Sequence, residues 1–123
     1  MKVVELYTGP VFDIYGLIVD EVCLAEEYIK RLSEAEQKRV FALINRILNH
    51  GPPQDERKFR HIGDQIYELK TRGGTRILCF YGGENLPNSL ILAQGFYKPK
   101  KLILMRQKKR TITWRETTIE IMK

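Results

Sequence analysis

A helix-stopping tripeptide divides this chain into two halves with different rhythms. Val40, Leu43, Ile44, Ile47 and Leu48 fall at i, i+3, i+4, i+7 and i+8, the apolar stripe of an amphipathic helix. Gly51 offers the left-handed cap, and Pro52-Pro53 lacks the amide donors that continuation would need. Beyond Asp55 the apolar spacing becomes that of strands. Helices first and a β-meander afterwards imply a segregated α+β domain. The chain has 123 residues, so residues 1–123 are expected to form one domain.

Local signals fill in the plan. Ser33-Glu34-Ala35-Glu36 fits a capping box, in which the serine accepts from the third following amide and Glu36 reaches back. Before it, Leu24, Ala25, Tyr28, Ile29 and Leu32 form a second helical stripe, with Asp20 as N-cap. The two helices abut at Ser33, which predicts an antiparallel helical hairpin. Among the first twenty residues, Val3 to Tyr7 and Val11 to Val19 read as extended, interrupted by Gly16. Gly9-Pro10 lies between them, giving a hairpin or one bent strand. Downstream, Ile66 to Thr71, Thr75 to Tyr81 and Ser89 to Lys98 read as strands. Arg72-Gly73-Gly74 joins the first two as a tight turn, and Gly82 to Asn88 forms a longer loop. The helical hairpin is expected to cover one face of a mostly antiparallel sheet, leaving the other for a ligand.

Charge narrows the function. Lys and Arg number 21 against 15 Asp and Glu, a net +6, which favours a polyanion or an acidic protein as partner. The longest apolar run, Ile77 to Tyr81, is far too short for a helical membrane span. The N-terminus lacks the apolar core of a secretory signal, so a cytoplasmic protein is expected. Cys23 and Cys79 occur in unrelated contexts, which argues against a disulfide framework or a thiolate metal site. HExxH, P-loop, GxGxxG and serine-triad signatures are absent, and no carboxylate cluster suggests a metal; neither metal nor cofactor is expected. His50 closes the second helix, where it suits the helix dipole. His61, in Lys58-Phe59-Arg60-His61, is either an acid–base group or a loop residue.

Side-chain alternation puts Tyr67 and Leu69 on one face of their strand and Glu68 and Lys70 on the other. If the three strands are neighbours, Lys70, Arg76 and Lys98 converge at one end of the sheet. Such a cluster suits a phosphodiester, because it neutralises a pentacoordinate phosphorane. From spacing alone, a solvated basic edge that blocks edge-to-edge pairing is the simpler account.

In order and spacing, these motifs resemble those of the RelE/ParE toxin superfamily, and within it the phage-derived, HigB-like branch. The likeness rests on Glu68-Leu69-Lys70, Gly74-Thr75-Arg76-Ile77-Leu78 and Gly95-Phe96-Tyr97-Lys98 with Lys100-Lys101. Cys23 to Ile29 is similar to that branch's first-helix entry, and Asn49-His50-Gly51-Pro52-Pro53 to its helix-ending segment. It spans about residues 20–101. The resemblance implies a RelE-like fold and a toxin of a type II toxin–antitoxin pair. It implies a metal-independent endoribonuclease that cuts mRNA on the ribosome, with a helix-turn-helix antitoxin as partner. The superfamily's other branch inhibits DNA gyrase; a phage relic or a plain RNA-binding domain are further alternatives. By resemblance, Arg76 is the phosphate ligand, and Lys70 and Lys98 stabilise the phosphorane or transfer protons. Lys58, Arg60 and His61 occupy the family's basic segment before the sheet, and with Arg72, Tyr97, Lys100 and Lys101 they are the RNA-binding candidates. Two departures stand out. Gln94 occupies a position where many relatives carry histidine, and the superfamily's C-terminal tyrosine has no secure counterpart.

The tail also departs. Leu102-Ile103-Leu104-Met105 is apolar, Lys108-Lys109-Arg110 basic, and Thr111-Ile112-Thr113 β-branched. Relatives have an Ala-, Glu- and Lys-rich helix there. With permissible codons, reading one nucleotide earlier from Leu102 yields such a helix, which suggests a frameshift. Read as it stands, the tail predicts strand-like or disordered ends at Thr111 to Thr113 and Ile119 to Ile121.

Overall fold

The computed structural model describes residues 1–122. Its elements run β1 Lys2–Tyr7, β2 Asp13–Val19, β3 Val22–Cys23, α1 Leu24–Lys30, α2 Glu34–His50, β4 Phe59–Gly63, β5 Ile66–Lys70, β6 Thr75–Tyr81, β7 Ser89–Tyr97 and α3 Lys101–Met122. The strands form one sheet in the order β1-β2-β7-β6-β5-β4, with β3 joined to β2. β1 and β2 form the N-terminal hairpin. Among the described residues the one parallel pairing is between β2 and β7, which joins that hairpin to the downstream meander. The domain is thus α+β with a mostly antiparallel sheet, as the sequence pattern implies, and consistent with a RelE-like fold.

Each face of the sheet has its own core. Ala25 and Ile29 of α1 and Val40, Ile44 and Ile47 of α2 pack with Ile14, Leu69, Ile77, Cys79, Leu90 and Leu92. On the opposite face, Leu17, Ile66, Leu78, Phe80, Ile91 and Ala93 meet Leu104, Ile112, Trp114 and Met122. This second core corrects the expectation of a free sheet face, because α3 occupies it.

The tail is therefore helical, with neither the strand-like nor the disordered ends expected of it. The face of α3 turned to the sheet carries threonines where aliphatic residues would be usual. Thr111 and Thr118 are fully buried, and each hydroxyl donates to the carbonyl four residues earlier, Gln107 or Trp114, at 2.7 Å. Meanwhile Leu102 and Met105 are exposed. Back-bonding satisfies the hydroxyls, and because the core-facing positions are shared between threonines and apolar residues, the periodicity gave no clear helical signal.

Three smaller expectations also change. Phe59-Arg60-His61 is an edge strand paired with Leu69, Glu68 and Tyr67, not a loop before the sheet. Asp20 does not cap α1; it sits in the β2–β3 turn at φ 50°, and Cys23 occupies the cap position. Half of the capping box forms. The Glu36 amide donates to Ser33 Oγ at 3.2 Å, but the Glu36 side chain turns into the domain instead of reaching back.

One close approach sets how α1 lies on the sheet. The Tyr28 ring rests on Gly95 of β7, where any Cβ would collide with it, and its hydroxyl donates to Thr75 Oγ1 at 3.3 Å. Gly95→Val is expected to lower the unfolding free energy by about 1–3 kcal/mol in urea titration, as overpacking usually does. Adding Tyr28→Ala should recover part of that loss. Unchanged stability in Gly95→Val would show that the ring has room to move.

Candidate functional site

Strand register creates a row of positive charge. Lys70, the last residue of β5, stands directly opposite Arg76 in β6. On the other side of β5, the Lys70 amide donates to the Lys58 carbonyl at 2.8 Å, so Lys58 flanks Lys70 at the entry to β4. Three neighbouring chain segments therefore each present a cation at the same end of the sheet. Adjacent strands lie only about 4.8 Å apart. Like charges placed opposite one another in a sheet repel.

This row opens onto a cleft of about 890 Å³ where the strand ends meet the flank of α2. Arg39, Arg46, Arg57, Lys58, Lys70, Arg72 and Arg76 line it, with Asp55 the one carboxylate among the lining residues. Asp55 is bound by Arg57 at 3.0 Å, and hydrogen bonds from Arg57 hold its carboxyl below the usual range. Arg39 pairs with Glu36 at 3.2 Å. Among the described residues, Arg46, Lys58, Lys70, Arg72 and Arg76 have no carboxylate within ion-pair distance. Uncompensated cations in a concave surface raise the local concentration of anions.

Arg76 is held by its backbone surroundings. Its Nη1 donates to the Thr75 carbonyl at 2.9 Å and to the Thr71 carbonyl at 3.3 Å. The turn that supplies those carbonyls rests on Glu36, which is only 4% exposed. Glu36 Oε2 accepts from the Thr71 hydroxyl at 2.6 Å, the Thr75 hydroxyl at 2.6 Å and the Thr75 amide at 3.1 Å. Burial pushes this carboxyl upward, but hydrogen bonds from Thr71, Thr75 and Arg39 outweigh it, so it ionises below its ordinary range.

The other expected site residues are distributed differently. Lys98 lies just past β7 at φ 42°; its amide donates to the Gly74 carbonyl at 2.8 Å and its ammonium lies 5.5 Å from the centre of the Tyr97 ring. Lys98 is thus next to the β5–β6 turn, but neither it nor Tyr97 lines the cleft. In register, Arg76 faces Phe96 rather than a fourth cation. Arg60 is engaged with buried Glu68 at 3.3 Å. His61 is exposed, its ring 4.8 Å from that of Tyr67. Lys100 and Lys101 are exposed at the start of α3. Gln94 faces α3, donating to Thr111 Oγ1 at 2.9 Å and the Gln107 carbonyl at 3.2 Å, so that position anchors the helix. His50 ends α2, exposed. Burial drives the Cys79 thiol well above its ordinary range, leaving it protonated.

Sequence reasoning missed Arg39, Arg46 and Arg57. Arg39, Ala42, Leu43 and Arg46 follow at i, i+3, i+4 and i+7, one stripe beside the core face of α2, and that spacing was a usable signal. Arg57 carried no such signal.

The chain is thus a three-layered α+β domain, helices on both faces of one sheet, with a basic cleft at one end of that sheet. It belongs to the family described as phage derived protein Gp49-like (DUF891), a toxin-like family whose model matches residues 27–121. That match continues past the motifs quoted above and through most of α3. No curated protein matches the chain. Among the described residues, no helix is long and apolar enough to cross a membrane.

The buried Glu36 gives the fold an acid limit. Its folded carboxyl binds a proton less readily than in the unfolded chain, so its contribution is complete above the ordinary value of 4.5 and fades as pH falls below it. The urea midpoint of the wild type should fall between about pH 5 and pH 3, and less steeply in Glu36→Gln. Parallel pH profiles would show that Glu36 has no part in the acid transition.

Proposed function

We propose that the protein is the toxin of a type II toxin–antitoxin pair, close to the HigB-like branch, and that it cleaves mRNA on the translating ribosome. The observation that carries this reading is the in-register row Lys58, Lys70 and Arg76, set in a cleft with four more arginines. A row of repelling charges on adjacent segments suits a ligand with regularly spaced negative charge, and an RNA backbone has it.

The chemistry is an internal phosphoryl transfer. The ribose 2′-oxygen loses its proton and attacks the adjacent phosphorus. The bond to the 5′-oxygen breaks, and that oxygen takes up a proton. The products are a 2′,3′-cyclic phosphate and a 5′-hydroxyl. Arg76 places its planar guanidinium on the non-bridging oxygens, where charge builds in the phosphorane. Lys70, beside it, and Lys98, next to the turn, stabilise that charge or move the protons. Lys58 and Arg72 hold the flanking phosphates, with Arg60, His61, Tyr97, Lys100 and Lys101 as outer RNA contacts. The scheme needs neither metal nor cofactor, and the protein works in the cytoplasm.

The antitoxin is proposed to be a small helix-turn-helix protein encoded next door, with an acidic segment that covers the cleft. A second reading follows from one feature of the site: neither histidine lines the cleft, and Lys98 lies outside it. On that reading the fold is retained without nuclease activity, as a gyrase inhibitor or a phage relic.

Induction of the wild type is expected to arrest growth and produce new mRNA 5′ ends, with or without excess chelator. Arg76→Ala should reduce cleavage by about 10²–10³-fold, the usual effect of losing one oxyanion donor. Arg76→Lys should also be impaired, since it loses the bidentate fork. Equal cleavage by wild type and a folded Arg76→Ala would sink the assignment, while growth arrest without cleavage would select the second reading.

Binding to single-stranded RNA should weaken steeply with salt. If five cleft cations each neutralise a phosphate, log K against log salt has a slope of about −3.5. A slope near zero would remove the cleft from consideration. Co-expression with the adjacent small gene should yield a stable complex; no complex would count against the antitoxin assignment.

A further inference from the structure

We infer that Glu36 is a positioning residue, holding from inside the core the turn that aims Arg76 into the cleft. Its kinetic consequence rests on the RNA-cleavage reading; its structural consequence does not.

The position departs from local expectation. Glu36 stands at the third residue of α2, where a glutamate ordinarily serves the helix start. Here it is turned away and buried against the β5–β6 turn. Three donors, the Thr71 hydroxyl and the hydroxyl and amide of Thr75, converge on its Oε2. The turn lies flat on the carboxylate, since a Cβ at Gly73 would collide with it. The carbonyls of Thr71 and Thr75 accept from Arg76 Nη1. The same carboxylate, through Oε1, holds Arg39, which lines the cleft. One buried charge therefore restrains one cleft arginine directly and another through a single layer of backbone.

This arrangement has a chemical use. A free arginine loses rotamer freedom when it orders around a phosphate, which weakens its contribution to binding the transition state. An arginine already held by two carbonyls, on a turn that is itself fixed, has given up much of that freedom beforehand. Charge is what makes the fixture firm, because hydrogen bonds to a carboxylate are about twice as strong as those to a neutral acceptor. Glu36→Gln keeps the shape, loses the charge, and sets an amide donor against either Arg39 or the turn.

The test is arginine side-chain NMR on uniformly labelled protein, with the Arg76 guanidinium signals assigned by their loss in Arg76→Lys. Wild-type Arg76 should show restricted guanidinium rotation. In Glu36→Gln, and in Thr71→Val, those signals should average while the backbone amide spectrum remains native. On ribosomes carrying mRNA, Glu36→Gln should lower kcat by about 10–100-fold, the scale of effect that misplacing a reacting group produces. KM should change less than about twofold, because the cleft cations that bind RNA remain. Combined with Arg76→Ala, the glutamine should add no further loss. Unchanged Arg76 signals in both variants would overturn the proposal, as would an equal loss from Glu36→Gln in the Arg76→Ala background. If the wild type cleaves no RNA, the proposed function fails, while the Arg76 signals still decide the role of Glu36.

Discussion

β7 is the strand on which the other elements depend. Leu90, Ile91, Leu92 and Ala93 are all completely buried, because α1 and α2 cover one face and α3 the other. Its two neighbours are β2, in parallel, and β6, antiparallel. A register shift opposite Leu78 and Cys79 leaves Ala93 as an extra residue in β7. Such a bulge reverses the side-chain alternation beyond it. The shift turns Gln94 to α3 and Gly95 to the Tyr28 ring, so both helical layers are keyed to the same irregularity.

The legible parts of the fold were those with one clear pattern. α2 showed its stripe and its stop signal, and β6 showed a short unbroken apolar run behind a Gly-Gly turn, with the bounds read from it, Thr75 to Tyr81. The hairpin turn at Gly9-Pro10 was readable as turn chemistry. α3 was not, because buried threonines and exposed Leu102 and Met105 reverse the usual helical pattern. β4 was missed because Arg60 and His61 are exposed on an edge strand and look like loop residues. Of the site, Lys70 and Arg76 could be paired from strand order, but the role of Glu36 depended on a tertiary contact with a turn 35 to 39 residues away. Motif reading assigned that glutamate to its own helix, and local sequence offered nothing to contradict it.

Electrostatics in this domain is sorted by depth. Buried carboxylates are matched: Glu36 has four donors and Glu68 has Arg60. No buried side-chain polar atom among the described residues is left without a hydrogen bond. Five of the seven cations of the cleft, Arg46, Lys58, Lys70, Arg72 and Arg76, have no carboxylate partner among the described residues, and they sit where water screens them. This division lets the fold tolerate a concentrated positive surface without placing unpaired charge in its core. It also means that an anionic partner relieves repulsion already present in the free protein.

The parallel pairing of β2 with β7 has a consequence for the order of events during synthesis. β4, β5 and β6 are joined by short connections, and their pairings are local, so this part can form early. Asp13 to Gly16, in contrast, find their partners only at Ser89 to Leu92. Until that distant segment has emerged from the ribosome, the N-terminal hairpin has no sheet to join. The core shared by α1, α2 and β7 likewise waits for it. A nascent chain therefore carries its basic strand ends before it has a closed domain to display them, and the sheet closes only as β7 arrives.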